Sequence, residues 1–308
     1  MIESFLTTQK RDPEFLRRYT VASENLLVLA QIYTATAALA LGAVFGLLQS
    51  FSRANFLVMP PYLDYYRMLT AHGVLLALVF TTFFIVGLSQ FSVYRRIVRP
   101  GRSLVLGWTS YLVMLTGTVM AALAILSGNA SVLYTFYAPL KATPWFYFGA
   151  TFLILGTWGV AAEIFENVVW WKRSHPADRI PLPAFISATT FVMWVIATLG
   201  VVAEMCLLIP WSLGWTPGVD VELTRILFWY FGHPLVYFWI MGAYLVWYTV
   251  VPTTFGGRIF SDPLTRLVFI FLLLLSTPVG LHHQFLDPGI GAGWKWLHMA
   301  LTYGVVIP

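Results

Sequence analysis

The chain of 308 residues is 59% hydrophobic and only 10% charged, with a mean hydropathy of +0.77. Those proportions exclude a soluble globular domain and a disordered chain, and they indicate a polytopic membrane protein. The net charge of +5 calls for no nucleic-acid partner, and a single cysteine, Cys206, excludes an internal disulfide.

About 20 apolar residues cross a bilayer, and runs of that length predict seven full spans, at 25–50, 66–94, 103–128, 145–171, 183–211, 223–252 and 264–284. An eighth run begins near Trp294 and is still apolar at Pro308, so a truncated eighth span is expected. Met1 to Glu24 is polar and charged and does not resemble a cleavable signal, so the first run is expected to stay in the membrane. No repeat or linker is visible, which gives one all-α transmembrane helix bundle over residues 1–308, read as the front part of a larger unit.

Basic residues alternate between the connections. Lys10, Arg11, Arg17 and Arg18 precede the first span; Arg95, Arg96, Arg99 and Arg102 follow the second; Lys172, Arg173 and Arg179 follow the fourth; and Arg258 and Arg266 follow the sixth. Only Arg53, Arg67, Lys141, Arg225 and Lys295 fall on the other side. The positive-inside rule then puts the N-terminus in the cytoplasm.

With that topology each histidine has a depth. His72 lies roughly 9 Å below the outer end of the second span, His233 roughly 15 Å below that of the sixth, and His282 and His283 fall in the last turn of the seventh. All four can occupy the outer half of the membrane, where ionisable side chains are functional candidates. Adjacent side chains on a regular helix point about 100° apart, but Pro278 and Gly280 before the pair and Asp287-Pro288-Gly289 after it predict an irregular turn. Such a turn lets both imidazoles converge with His233. Three neutral imidazoles with an open position suit copper, zinc or iron, and the ligand type alone leaves those three open. The competing reading is an interfacial structural pair; His298 is open between a ligand and a supporting role, and His175, in a charged connection, is expected to be solvated.

Tyr237 follows His233 by four residues and shares its face. Tyr244 and Tyr248, seven and eleven residues further, return to within about 20° of Tyr237, a file of hydroxyls suited to relaying protons. Glu163 and Glu166 sit near the inner end of the fourth span, within reach of the interface, while Glu204 lies in the outer part of the fifth with no partner assigned.

The segments Trp229-Tyr230-Phe231-Gly232-His233-Pro234-Leu235-Val236-Tyr237-Phe238-Trp239 and Leu275-Ser276-Thr277-Pro278-Val279-Gly280-Leu281-His282-His283-Gln284-Phe285, with Thr70-Ala71-His72-Gly73-Val74, resemble the catalytic subunit I of heme-copper oxygen reductases. The segment from Val132 to Lys141 and the tyrosine file look most like the B-type branch, the ba-type cytochrome c oxidases. The resemblance implies that His233, His282 and His283 ligate the copper called Cu-B beside a high-spin haem, that Tyr237 is covalently linked to His233 and supplies a proton and an electron, and that His72 is an axial ligand of a low-spin haem. It further implies a proton route through Tyr244 and Tyr248, Trp229 close to the oxygen approach, a b-type low-spin haem and an a-type high-spin haem. Implied partners are a subunit II carrying a dinuclear copper centre, cytochrome c, O2 and the lipid bilayer of a prokaryotic plasma membrane. The remaining haem-ligating histidines of the family lie on a later span and have no counterpart after His298, so they are expected beyond Pro308. Two rivals stand: a nitric oxide reductase-like relative, against which Tyr237 argues, and a multi-span transporter with structural histidines, which predicts no contact between His233 and the His282-His283 pair.

Overall fold

The computed structural model describes residues 13–308, with side chains from Ala22 onward; Lys10 and Arg11, and the side chains of Arg17 and Arg18, lie outside the described residues. Helix α1 runs Pro13–Arg53, α2 Tyr65–Gly73, α3 Thr81–Arg96, α4 Val105–Leu126, α5 Pro144–Ser174, α6 Leu182–Ser212, α7 Val221–Phe255, α8 Asp262–Ser276 and α9 Ala292–Gly304. No strand occurs among the described residues. Seven stretches are long and apolar enough to cross a membrane: Ala22–Arg53, Pro61–Arg96, Val105–Leu126, Pro144–Ser174, Leu182–Ser212, Val221–Phe255 and Asp262–Gln284. They match the expected spans, and α9 stands where the eighth begins.

Two spans differ from a plain helix in ways that hydropathy does not report. The second passes from α2 to α3 through seven residues of wider π-helical winding, Val74–Phe80, directly after His72. Such widened turns re-phase a helix and recur at functional positions. The seventh span stops as an α-helix at Ser276 and ends in a tight 3-10 turn, Leu281–Gln284, that carries both adjacent histidines.

Helix ends are set by local chemistry. The carboxylate of Asp64 accepts from Arg67 N at 3.0 Å, Asp220 accepts from Leu223 N at 3.0 Å, and Ser261 Oγ accepts from Leu264 N at 3.3 Å, each satisfying a free amide in a first turn. Gly256, with φ 66°, closes α7 in the left-handed region. Pro234 lies inside α7, and the helix continues through it.

Neighbouring spans pack through small residues and interlocked aromatics. Gly107, Ser110, Gly117, Ala121 and Ala124 are among the buried positions of α4, as expected where helix backbones approach closely in a bilayer. Trp194 of α6 stacks on Phe238 of α7 at 4.1 Å between ring centres and meets Phe231 edge-on at 5.6 Å. Its indole nitrogen donates to Thr157 Oγ1 of α5 at 2.7 Å, so one side chain joins three spans.

The two-sided distribution of charge is visible in three dimensions. Arg95 donates to Asn25 Oδ1, Arg99 pairs with Glu166, Arg102 with Glu24, and Arg179 with Asp262, gathering the basic connections at one end of the bundle. At the other end Arg53 donates to Tyr65, Lys141 lies over the Trp211 ring, and Arg225 pairs with Asp287. Glu163 departs from the sequence reading. It is 2% exposed rather than interfacial, and its carboxylate accepts from Tyr94 Oη at 2.6 Å and Gln90 Nε2 at 2.9 Å, because α3 supplies partners that draw it inward.

Candidate metal centre

His233 sits three turns into α7, buried at 8% exposure, on the helix face turned toward the Leu281–Gln284 turn. His282 and His283 reach it because the chain leaves α-helical geometry first: α8 ends before Pro278, which lacks an amide to extend it. Gly280 is needed for the approach, since a Cβ there would stand 2.2 Å from the carbonyl oxygen of Trp229. Only a residue without a side chain lets the turn lie against α7 at this point.

The result is a cluster of three imidazoles whose candidate ligand nitrogens all lie within 4.8 Å of one another. His233 Nδ1 and His283 Nε2 are 3.0 Å apart, and the His233 and His282 rings are 4.2 Å apart at 83°. Two nitrogens each about 2 Å from one ion stand roughly 3 Å apart at angles near 90–110°, so the donor set fits a first-row transition metal. The transporter reading required separated histidines, and this contact runs against it.

Tautomers follow from the surrounding bonds. The Thr302 hydroxyl of α9 has one proton, which goes to the His298 carbonyl at 2.6 Å; toward His282 Nδ1, 2.9 Å away, it therefore accepts. His282 Nδ1 is then protonated, and its Nε2 carries the lone pair, the arrangement by which an outer partner orients a metal-binding imidazole. His298 Nδ1 accepts the amide of Leu281 at 3.3 Å, so His298 supports the turn and is not part of the cluster. His233 Nε2 is buried and has no hydrogen-bond partner, while the Tyr237 ring lies 4.8 Å from the His233 ring one turn away.

The other candidates sit apart from this cluster. His72 Nδ1 donates to the Gly42 carbonyl of α1 at 2.9 Å, which leaves Nε2 as a candidate metal donor. A Cβ at position 46 of α1 would come within 2.6 Å of the same ring, so Gly46 keeps its seat open. Trp229 stacks on His283 at 3.9 Å and 12°. Tyr244 and Tyr248 share a face of α7, both edge-on to Phe269 of α8, at 6.4 and 5.8 Å; no direct hydrogen bond links them to Tyr237 among the described residues. Glu204 is fully buried with both carboxylate oxygens unpartnered, and takes no part in the cluster.

The sequence does not mark Thr302 or Gly46, and it shows Arg225 and Asp287 only as a basic flank and part of a turn, not as partners beside the cluster. Only Arg225 left a signal of that role, standing four and eight residues before Trp229 and His233 on one helix face. Arg225 Nε and Nη2 donate to the two oxygens of Asp287 at 3.0 and 3.1 Å.

A membrane bundle with a three-imidazole cluster at one end and a separately seated histidine on the second span is the architecture on which the comparisons bear. The family described as Cytochrome C and Quinol oxidase polypeptide I matches residues 26–308, and the chain belongs to it. The chain is 41% identical over 307 residues to cytochrome c oxidase subunit 1 of Thermus thermophilus, covering 97% of this chain and 54% of that one. It is 28% identical over 303 residues to heme-copper oxidase subunit I+III of Aeropyrum pernix, covering 91% and 35%. A cryo-EM structure of a heme-copper terminal oxidase dimer superposes with a TM-score of 0.87 at 40% identity, covering 93% of this chain and 50% of that one. The chain thus spans about half the length of the Thermus relative.

Proposed function

We propose that this chain belongs to the catalytic subunit of a terminal oxidase that reduces O2 to water with electrons from cytochrome c, coupled to proton uptake and outward pumping. The reading rests above all on the convergence of His233, His282 and His283. Copper and haem, when bound, supply the electron storage and oxygen binding, with potentials tuned by the protein around them.

The chain's own residues have distinct tasks in this reading. His233, His282 and His283 hold the Cu-B copper, with His282 presenting Nε2 because Thr302 takes its other nitrogen. The partnerless Nε2 of His233 supports a covalent link to a ring carbon of Tyr237, in which the N–H and C–H hydrogens leave as two protons and two electrons taken up by the O2 that the proposed oxidase reduces; the link fixes the phenol beside the centre, where Tyr237 Oη supplies a proton. His72, oriented by Gly42, holds the low-spin haem iron through Nε2. Tyr244 and Tyr248, continuing down α7, serve the proton route with water between them. Trp229, flat against His283, flanks the oxygen approach.

The finer assignments follow the same resemblance: the B-type branch, a b-type low-spin and an a-type high-spin haem, a subunit II with a dinuclear copper centre, and a prokaryotic plasma membrane with the N-terminus in the cytoplasm. Metal analysis with a reduced-minus-oxidised visible spectrum of the complete oxidase tests the reading. Copper and two spectrally distinct haems are expected, and His283→Leu should lose copper and oxygen consumption while keeping the low-spin haem band. A wild-type protein without copper would overturn it.

A further inference from the structure

Arg225, Trp229 and His233 follow at intervals of four along α7, so they form one stripe, spanning about 12 Å along the axis. Each meets the segment that follows α8. At the water-facing end Arg225 holds Asp287 through two parallel bonds, and Gln284 Nε2 donates to Asp287 Oδ2 at 3.2 Å. One turn inward Trp229 stacks on His283, and a further turn inward His233 meets both histidines. The Arg225 guanidinium also lies over the Tyr137 ring at 5.1 Å, which ties the connection between α4 and α5 to the same point. Asp287 is four residues beyond His283, so a displacement at the ion pair is transmitted directly to the histidine turn.

The members of this stripe differ in exposure, and His283 itself is exposed. The Arg225 and Asp287 side chains are 31% and 21% exposed, whereas His233 is 8% exposed. A forked pair in that setting is stronger than a simple surface pair yet remains open to screening by salt. The Trp229 and His283 rings are stacked one turn from the pair, so the pair and the stack together hold the exposed His283 beside His233. Lys295 Nζ holds the Phe285 carbonyl at 2.7 Å and Thr302 holds His282, so breaking the ion pair removes the charged side-chain tie of this segment to α7 and loosens His283 against Trp229 without releasing the whole turn.

We propose that the Arg225–Asp287 pair is the latch of the copper site: it holds the His283 side of the turn against α7, and its opening loosens that ligand and sets how fast a copper ion leaves. The proposal rests on the reading of the three histidines as a copper site. Arg225 and Asp287 are positioning residues; neither belongs to the ligand cluster.

The test is the rate at which copper leaves the reduced, complete oxidase in detergent to excess bathocuproine disulfonate, followed by metal analysis at low and high ionic strength. The haem spectrum serves as the control for folding. Arg225→Gln and Asp287→Asn should each release copper about fivefold faster or more, and the exchanged pair Arg225→Asp with Asp287→Arg should return toward the wild-type rate. Wild-type release should accelerate with salt, and release from Arg225→Gln should not. If the neutral variants lose their haem spectrum, Arg225→Lys, which keeps the charge but not the fork, is expected at an intermediate rate. Equal release from the single variants and the wild type, or a wild-type rate indifferent to salt, would overturn the latch. A wild-type oxidase that carries no copper would instead overturn the functional reading beneath it.

Discussion

The chemistry of the site turns on which nitrogen of each imidazole is free, and that is settled one hydrogen bond at a time. Thr302 uses its only proton on the His298 carbonyl and so accepts from His282 Nδ1; Gly42 accepts from His72 Nδ1. Replacing Thr302 by Val keeps the shape but leaves the His282 N–H without its acceptor, and copper affinity should fall about 10- to 100-fold, read by competition with a calibrated chelator. Thr302→Ser should retain most of it. Tyr237→Phe removes a phenolic proton without moving the ring, so steady-state oxygen consumption should fall at least about a hundredfold while copper and haem contents stay at wild-type levels. His233, His282, His283 and Tyr237 could be singled out in the sequence because ionisable and hydroxyl-bearing side chains stand out in an apolar span. Thr302 and Gly42 could not, since a threonine or glycine in a membrane helix is ordinary until its partner is known.

Elements carry the next level of order, and two irregular ones do the positioning. The tight turn Leu281–Gln284 brings adjacent histidines onto one cluster, and Gly280 lets it lie on the Trp229 carbonyl. Gly280→Ala should therefore cost about 1–3 kcal/mol by overpacking, visible as a lower thermal midpoint and a reduced copper content. Pro278 and Gly280 announced this break in the sequence. The π-helical winding at Val74–Phe80 had no such announcement, because an uninterrupted run of apolar residues reads the same in either winding. Glu163 illustrates the same point for charge. Its position near a span end suggested the interface, yet Tyr94 and Gln90 of α3 hold it inside. In Glu163→Leu those two donors lose their acceptor, so stability should drop by about 1–3 kcal/mol in a thermal melt of the detergent-solubilised protein.

Over the whole molecule, the basic connections collect at one end and the histidine cluster lies toward the other, where Arg225 and Asp287 meet. The orientation proposed above, with the basic end in the cytoplasm, is what the positive-inside rule leads one to expect. In intact cells Asn129→Cys should react with an impermeant maleimide, whereas His175→Cys should react only after permeabilisation; both positions are exposed at opposite ends of the bundle, and Cys206 serves as the background. The reverse pattern would invert the topology.

Span number, the gathering of basic residues at one end and the identity of the candidate ligands follow from composition, the length of apolar runs and the distribution of basic residues. Each is a local property that one stretch of sequence holds by itself. What lies between stretches belongs to the tertiary structure alone: the 3.0 Å meeting of His233 with His283, the tautomer of His282, the seat of Glu163 and the pairing of Arg225 with Asp287. Residues 20 to 69 positions apart meet only after helices have chosen their neighbours and their rotations, and side-chain packing across the bundle makes that choice.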